Sequence, residues 1–232
     1  KSYNELILCI ASGDLDGKAN LEIVSRTTNS INVLDKDGNT FPGFPIQYSD
    51  GDVYPFKPVN VFDLDNDGTL EIIAGKKNEI AVFNFNGTIR AGWPRYIAGI
   101  FQTNPAIGDI DNDGLAEIIV PTLKILSGTV DSSCIRIFKS NGENFSSAWP
   151  VYSDSGYYNW GASPTIIINK NNSDSTAIVM STRTNANVGG ISKNRLTKYN
   201  INAEIVDVGY NSVLNGLGTL VAGDLDMNGT IE

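Results

Sequence analysis

Three observations predict an all-β chain assembled from repeated four-stranded units. An acidic motif recurs along the sequence, Asx-Gly turn dipeptides recur in phase with it, and the segments between are short β-branched and aromatic runs without helical periodicity. The motif opens at Asp14, Asp63, Asp109 and Asp224, so successive copies stand 49, 46 and 115 residues apart. Midway through the last interval Asn169 to Ile178 keeps the spacing and loses the acids. Units of about 46–60 residues with about four strands each are the signature of β-propeller blades, whose sheets bury both faces against their neighbours. Residues 1–232 are therefore expected to form a single propeller domain, with repeat loops starting at 14, 63, 109, 169 and 224 and a last blade truncated. Four blades and a fraction do not close a ring, which implies a portion of a propeller of about six to eight blades.

Each element has a local reason. Leu6 to Ala11 is an apolar run too short for a membrane span or a secretion leader, and reads as a strand. In the second unit Val59 to Phe62, Leu70 to Ala74 and Ile80 to Phe85 each have strand length and strand composition. Asp37-Gly38, Asn86-Gly87 and Asn141-Gly142 suit the positive backbone angles of tight hairpins. A proline precedes the motif at Pro58, Pro105 and Pro164, and an aromatic-proline pair closes the unit at Phe44-Pro45, Trp93-Pro94 and Trp149-Pro150. The third unit is longer, and Pro121 to Ser133 is expected to be an inserted loop on one face. The fourth is degenerate, rich in Asn and Ser from Asn169 to Asn194.

Composition narrows the chemistry. The 232 residues include no His and two Cys, which removes His-dependent triads, His-metal sites and four-thiolate zinc. A formal charge of −9 argues against nucleic acid as a partner, because a phosphate backbone rewards clustered Lys and Arg. Of the 26 acidic residues, 14 fall in the four acidic motifs, so the charge is concentrated in local sites. Cys9 and Cys134 are compatible with a disulfide or with two thiols, the thiols being slightly favoured.

Positions 1, 3 and 9 of each motif carry oxygen side chains, and in all but the first motif position 5 does too, with Gly at position 6 where the chain must turn sharply. In the second loop these are Asp63, Asp65, Asp67 and Glu71 with the carbonyl of Thr69; in the third, Asp109, Asp111, Asp113 and Glu117 with the carbonyl of Leu115. Six to eight converging hard oxygens are what calcium prefers, whereas magnesium keeps more of its water. The acid at position 9 runs into a strand, unlike the helix-flanked EF-hand with its Glu at position 12. The last loop offers Asp224, Asp226, Asn228, Glu232 and the carbonyl of Thr230, one carboxylate fewer. Asp14, Asp16 and Glu22 form a weaker set, since Lys18 stands at position 5 and can itself neutralise them. The loop at Asn169 has no carboxylate at positions 1, 3 or 5 and is not expected to hold metal. Two to three calcium ions are expected.

The Asp-x-Asp-x-Asp-Gly-x-x-Glu loops, the preceding proline and the closing Phe-Pro-Gly-Phe-Pro and Gly-Trp-Pro segments resemble the FG-GAP/VCBS repeats of bacterial and archaeal surface proteins, relatives of the integrin alpha-subunit propeller. The resemblance implies an extracellular or cell-surface propeller whose calcium ions brace blade loops while another surface binds. The expected function is a noncatalytic binding or adhesion module for a glycan or an extracellular protein, with further blades or domains of the same polypeptide as other possible partners. Tyr157, Tyr158 and Trp160 lie among Ser, Gly and Asn and suit a sugar or protein platform, against the alternative that these rings pack between blades. Two other functions stay open: the propeller of a secreted, lyase-type polysaccharide enzyme, for which no base stands out, and a passive repeat in a surface array or stalk.

Overall fold

A computed structural model describes residues 5–48, 58–76, 78–97, 99–101, 103–126, 129–154, 157–158, 164–167, 176–184 and 194–211. The described chain is all-β and antiparallel, in four sheets that each follow a four-strand path. Blade one consists of β1 (Ile7–Gly13), β2 (Glu22–Thr27), β3 (Ser30–Leu34) and β4 (Ile46–Gln47), side by side in chain order. Blade two repeats this with β5 (Val59–Phe62), β6 (Glu71–Lys76), β7 (Glu79–Phe83) and β8 (Arg95–Tyr96). After the two-residue β9 (Ile100–Phe101), blade three runs β10 (Ala106–Gly108), β11 (Glu117–Leu126), β12 (Thr129–Phe138) and β13 (Val151–Tyr152). Blade four orders β14 (Tyr157–Tyr158), β16 (Ala177–Thr184), β17 (Asn194–Asn200) and β18 (Ile205–Asn211), with β15 (Thr165–Ile167) also paired to β16. In blades one to three the acidic loop joins the first strand to the second, so the ninth-position Glu is the first residue of β2, β6 and β11.

The expected inserted loop at Pro121 to Ser133 is instead ladder. Pro121 pairs with Ile135, Thr122 with Cys134 and Leu123 with Ser133, and pairing continues past an irregularity to Leu126 opposite Thr129. Thr122, Leu123, Ser133 and Cys134 are buried, so the added residues lengthen a hairpin whose base is already packed. Cys9 and Cys134 are not joined in a disulfide.

The described chain divides into two compact units, Lys1–Asn104 with Ser140–Glu143, and Pro105–Lys139 with Asn144–Glu232. In the first, alternate residues of the strands meet face to face: Val24, Ile31 and Val33 from blade one against Val59, Ile72, Ala74, Ala81 and Phe83 from blade two. Each large side chain buried this way contributes about 1.5–3 kcal/mol. Leu15, at position 2 of the first acidic loop, is fully buried in the same core, which anchors the loop to the packed sheet. In the second unit Ile119, Ile135 and Ile137 of blade three pack with Ile178, Met180 and Tyr199 of blade four, and Ile110 plays the part of Leu15.

The closing aromatic-proline segments have a packing role. Gly43 and Gly92 take φ of 90° and 86°, and a Cβ would stand 2.0 Å from Asn86 O and 1.9 Å from Asn141 O respectively. Each segment thus lies on the Asx-Gly turn of the following unit, and only glycine permits that approach. Trp93 Nε1 donates to Ser140 O at 3.1 Å and Trp149 Nε1 to Ile201 O at 3.0 Å, the same contact repeated. Ile10 and Ile23 of blade one, and Ile205 and Val206 of blade four, stay exposed.

Candidate metal centre

The three described acidic loops are built alike. Both carboxylate oxygens of the first-position Asp accept backbone N–H groups of positions 5 and 6. For Asp63 the donors are Asp67 at 3.1 Å and Gly68 at 2.9 Å, for Asp109 they are Asp113 at 3.1 Å and Gly114 at 3.0 Å, and for Asp14 they are Lys18 at 3.0 Å and Ala19 at 2.7 Å. Closing so tight a ring places positions 4 and 6 at positive φ. Position 4 is Gly17, Asn66 or Asn112, at 70°, 58° and 60°. Asn tolerates this conformation better than other non-glycine residues, which gives the fourth position a reason the ligand pattern does not supply. Ala19 adopts it at 61° in place of the usual Gly.

The ninth-position Glu reaches back across the loop. Oε2 of Glu22, Glu71 and Glu117 accepts the N–H of Leu15 at 2.9 Å, Leu64 at 2.9 Å and Ile110 at 3.1 Å. Leu15, Leu64 and Ile110 are fully buried, so each Glu is drawn into a place where almost none of it touches water. The outcome in each loop is three carboxylates, from positions 1, 3 and 9, that offer oxygens within 4.8 Å of one another. The structure therefore brings together Asp63, Asp65 and Glu71, then Asp109, Asp111 and Glu117, and equally Asp14, Asp16 and Glu22. The fifth-position acids serve the turn: Asp67 Oδ1 accepts the N–H and hydroxyl of Thr69 at 2.8 and 2.7 Å, and Asp113 Oδ1 accepts the N–H of Leu115 at 2.9 Å. The Thr69 donors hold the Asp67 carboxyl below its usual range. The loops at Asn169 and Asp224, with Asp226, Asn228, Thr230 and Glu232, lie outside the described residues, as does Trp160. Tyr157 and Tyr158 form β14, and their side chains lie outside the description.

What neutralises the clusters differs from loop to loop. In the first, Lys18 Nζ stands 2.7 Å from Asp16 Oδ2, with its side chain largely in solvent. In the second, the half-buried Arg90 guanidinium spans the cluster, one nitrogen 2.5 Å from Asp65 Oδ2 and the other 2.9 Å from Glu71 Oε1. Sequence reasoning did not single out Arg90. Its N–H donates to Val82 O as those of Phe41 and Phe145 donate to Val33 O and Ile137 O, so it stands where blades one and three carry Phe. An Arg at a position otherwise Phe was the available signal.

Among the described residues no Lys or Arg pairs with Asp109, Asp111 or Glu117 of the third loop. Burial, with the charges of Asp111, Asp113 and Asp109 added, pushes the Glu117 carboxyl up to about 8. Burial and then Asp113 raise Asp111 as well. Burial also raises Glu71, but there the Arg90 charge works in the opposite direction. Buried like charges at this distance need a cation or a proton. The third donor set, all hard oxygen, with the Lys139 charge acting on Asp111 but no ion pair formed among the described residues, fits a divalent ion. The second is a comparable carboxylate group, but two of its oxygens are taken by a guanidinium with which an ion would compete.

Repeated four-stranded blades with a carboxylate cluster between first and second strands define the class: an all-β repeat protein with acidic inter-strand loops. Residues 63–120, which include the second and third loops, match the family model described as FG-GAP-like repeat. No curated protein sequence matches the chain. Among solved structures it is similar to a protein of unknown function from Bacteroides caccae, at 14% identity over 90% of this chain and 62% of that one, with a TM-score of 0.42. It is also similar to the V. cholerae biofilm matrix protein Bap1, at 16% identity over 94% of this chain and 42% of that one, with a TM-score of 0.47. The chain thus spans less than two thirds of either.

Proposed function

We propose that the chain is a noncatalytic, extracellular, calcium-binding β-repeat module that presents a surface to a glycan or an extracellular protein. One observation carries the reading. The third loop gathers Asp109, Asp111 and Glu117 within 4.8 Å, with Glu117 almost wholly buried and no ion pair to a basic side chain among the described residues. A hard divalent cation offsets that repulsion, and calcium suits a crowded, flexible oxygen set better than magnesium does. With the ion bound, the loop would clamp β10 to β11 and so stiffen the blade.

Two further features support an extracellular setting. Calcium is abundant enough outside cells to saturate weak sites, and residues 63–120 match the FG-GAP-like repeat model. Among the described residues no helix is long and apolar enough to cross a membrane. Tyr157, Tyr158 and Trp160 are the proposed contact aromatics, on the strength of their composition.

The test is a calcium titration of the full chain followed by thermal melting, with a glycan and matrix-protein binding screen run in calcium and in chelator. At a hundredfold excess over Kd, calcium should stabilise the fold by about 2.7 kcal/mol. Asp111→Asn should abolish most of that rise. No calcium-dependent change in melting would sink the metal reading, and no saturable partner would leave a structural repeat in place of a binding module.

A further inference from the structure

We infer that Arg90 is the resident cation of the second acidic loop, and that it weakens divalent-ion binding there relative to the third loop, although the two motifs carry the same four acids and the same Asn and Gly turn residues. The inference rests on the reading of these loops as cation sites.

The argument is one of shared atoms. A divalent ion at the second loop needs the carboxylates of Asp63, Asp65 and Glu71, and Arg90 already occupies Asp65 Oδ2 at 2.5 Å and Glu71 Oε1 at 2.9 Å. Glu71 Oε2 is committed to the Leu64 N–H, and both Asp63 oxygens accept loop N–H groups. Of these carboxylates, only Asp65 Oδ1 is a buried oxygen without a hydrogen-bond partner. For an ion to bind with the geometry open to the third loop, Arg90 must give up both ion pairs. A guanidinium never sheds its charge in the working pH range, and its planar fork suits two carboxylates at once, so the ion meets a competitor at an effective concentration set by the fold. The third loop has Phe145 at the corresponding backbone position, and the first has Phe41, so a guanidinium bridging two of the cluster's carboxylates belongs to blade two among the three.

The test is isothermal titration of the full chain with calcium chloride, comparing variants so that contributions common to all of them cancel. In the unchanged chain, Asp111→Asn should remove a strong site while Asp65→Asn leaves the strong binding intact. Arg90→Gln should tighten the second loop at least tenfold and add one strong site, and the double variant Arg90→Gln/Asp65→Asn should lose it again. Arg90→Phe, the residue of the neighbouring blades, repeats the test should the Gln variant fold poorly. A strong site lost on Asp65→Asn in the unchanged chain would overturn the inference, and so would variants at Arg90 that bind no more calcium than the parent. Should Asp111→Asn change nothing, the metal reading of the third loop fails by itself, and the gain or absence of a site in Arg90→Gln still decides the role of Arg90.

Discussion

The second and third acidic loops have the same backbone, the same first-position Asp ring and the same buried ninth-position Glu, yet they resolve their charge in opposite ways. Blade two lays a guanidinium across its cluster from a distant turn, whereas in blade three Lys139 acts on Asp111 without forming an ion pair among the described residues. The difference teaches that an acidic loop and a metal site are separate properties. The loop is made by backbone hydrogen bonds that both copies share. Its demand for an ion depends on which side chain the next turn of the blade delivers over it.

The largest effect should follow from taking that cation away. In chelator, Arg90→Gln breaks a largely buried ion pair and should cost about 3 kcal/mol of stability by denaturant titration. A cost near zero would show that the guanidinium is a bystander and would erase the contrast between the loops. A smaller but sharper effect is a reversal of sign. Glu71→Gln removes one partner of Arg90 and should lower stability in chelator by about 2 kcal/mol, the scale of a charged hydrogen bond. Glu117→Gln keeps the acceptor for the Ile110 N–H while discarding a carboxyl that has to take up a proton to stay buried, so it should raise the melting temperature in chelator and abolish the calcium response. Equal signs for the two variants would break the comparison.

The pH dependence should be smaller again. Glu117 titrates near 8 in the folded chain against an ordinary 4.5, so between those values the folded state holds a proton that the unfolded state has released. Stability in chelator should therefore fall as pH rises from about 4.5 to about 8, and Glu117→Gln should flatten that slope. A rising slope in the parent would show that the carboxylate is already compensated. The smallest effect belongs to the first loop. Lys18 lies largely in solvent where it meets Asp16, so Lys18→Ala should leave melting in chelator unchanged.

The blades were readable because their signals are local. Val59 to Phe62 was legible as a strand from β-branched and aromatic residues alone, and it is β5. The carboxylates of positions 1, 3 and 9 were legible because one nine-residue loop carries them all. Pro121 to Ser133 was misread because Gly128 and the serines around it look like loop composition, whereas Leu123 and Cys134 are buried and hold the hairpin in register. The fifth-position Asp was read by its type, and its oxygen's bond to the backbone two residues on depends on a turn geometry that composition does not specify.

By itself the sequence determined that the chain repeats, that the repeat is a blade of β-strands, and that acids cluster where the first strand turns into the second. These follow from periodicity, turn chemistry and spacing, which act over a few residues. Only the tertiary structure decided which cluster is neutralised from within. Arg90 meets Asp65 across 25 residues of sequence, after two strands and a hairpin have folded it back, and Phe145 occupies the same backbone position in blade three without a charge to offer. Electrostatic pairing acts through space, so its outcome is set by packing.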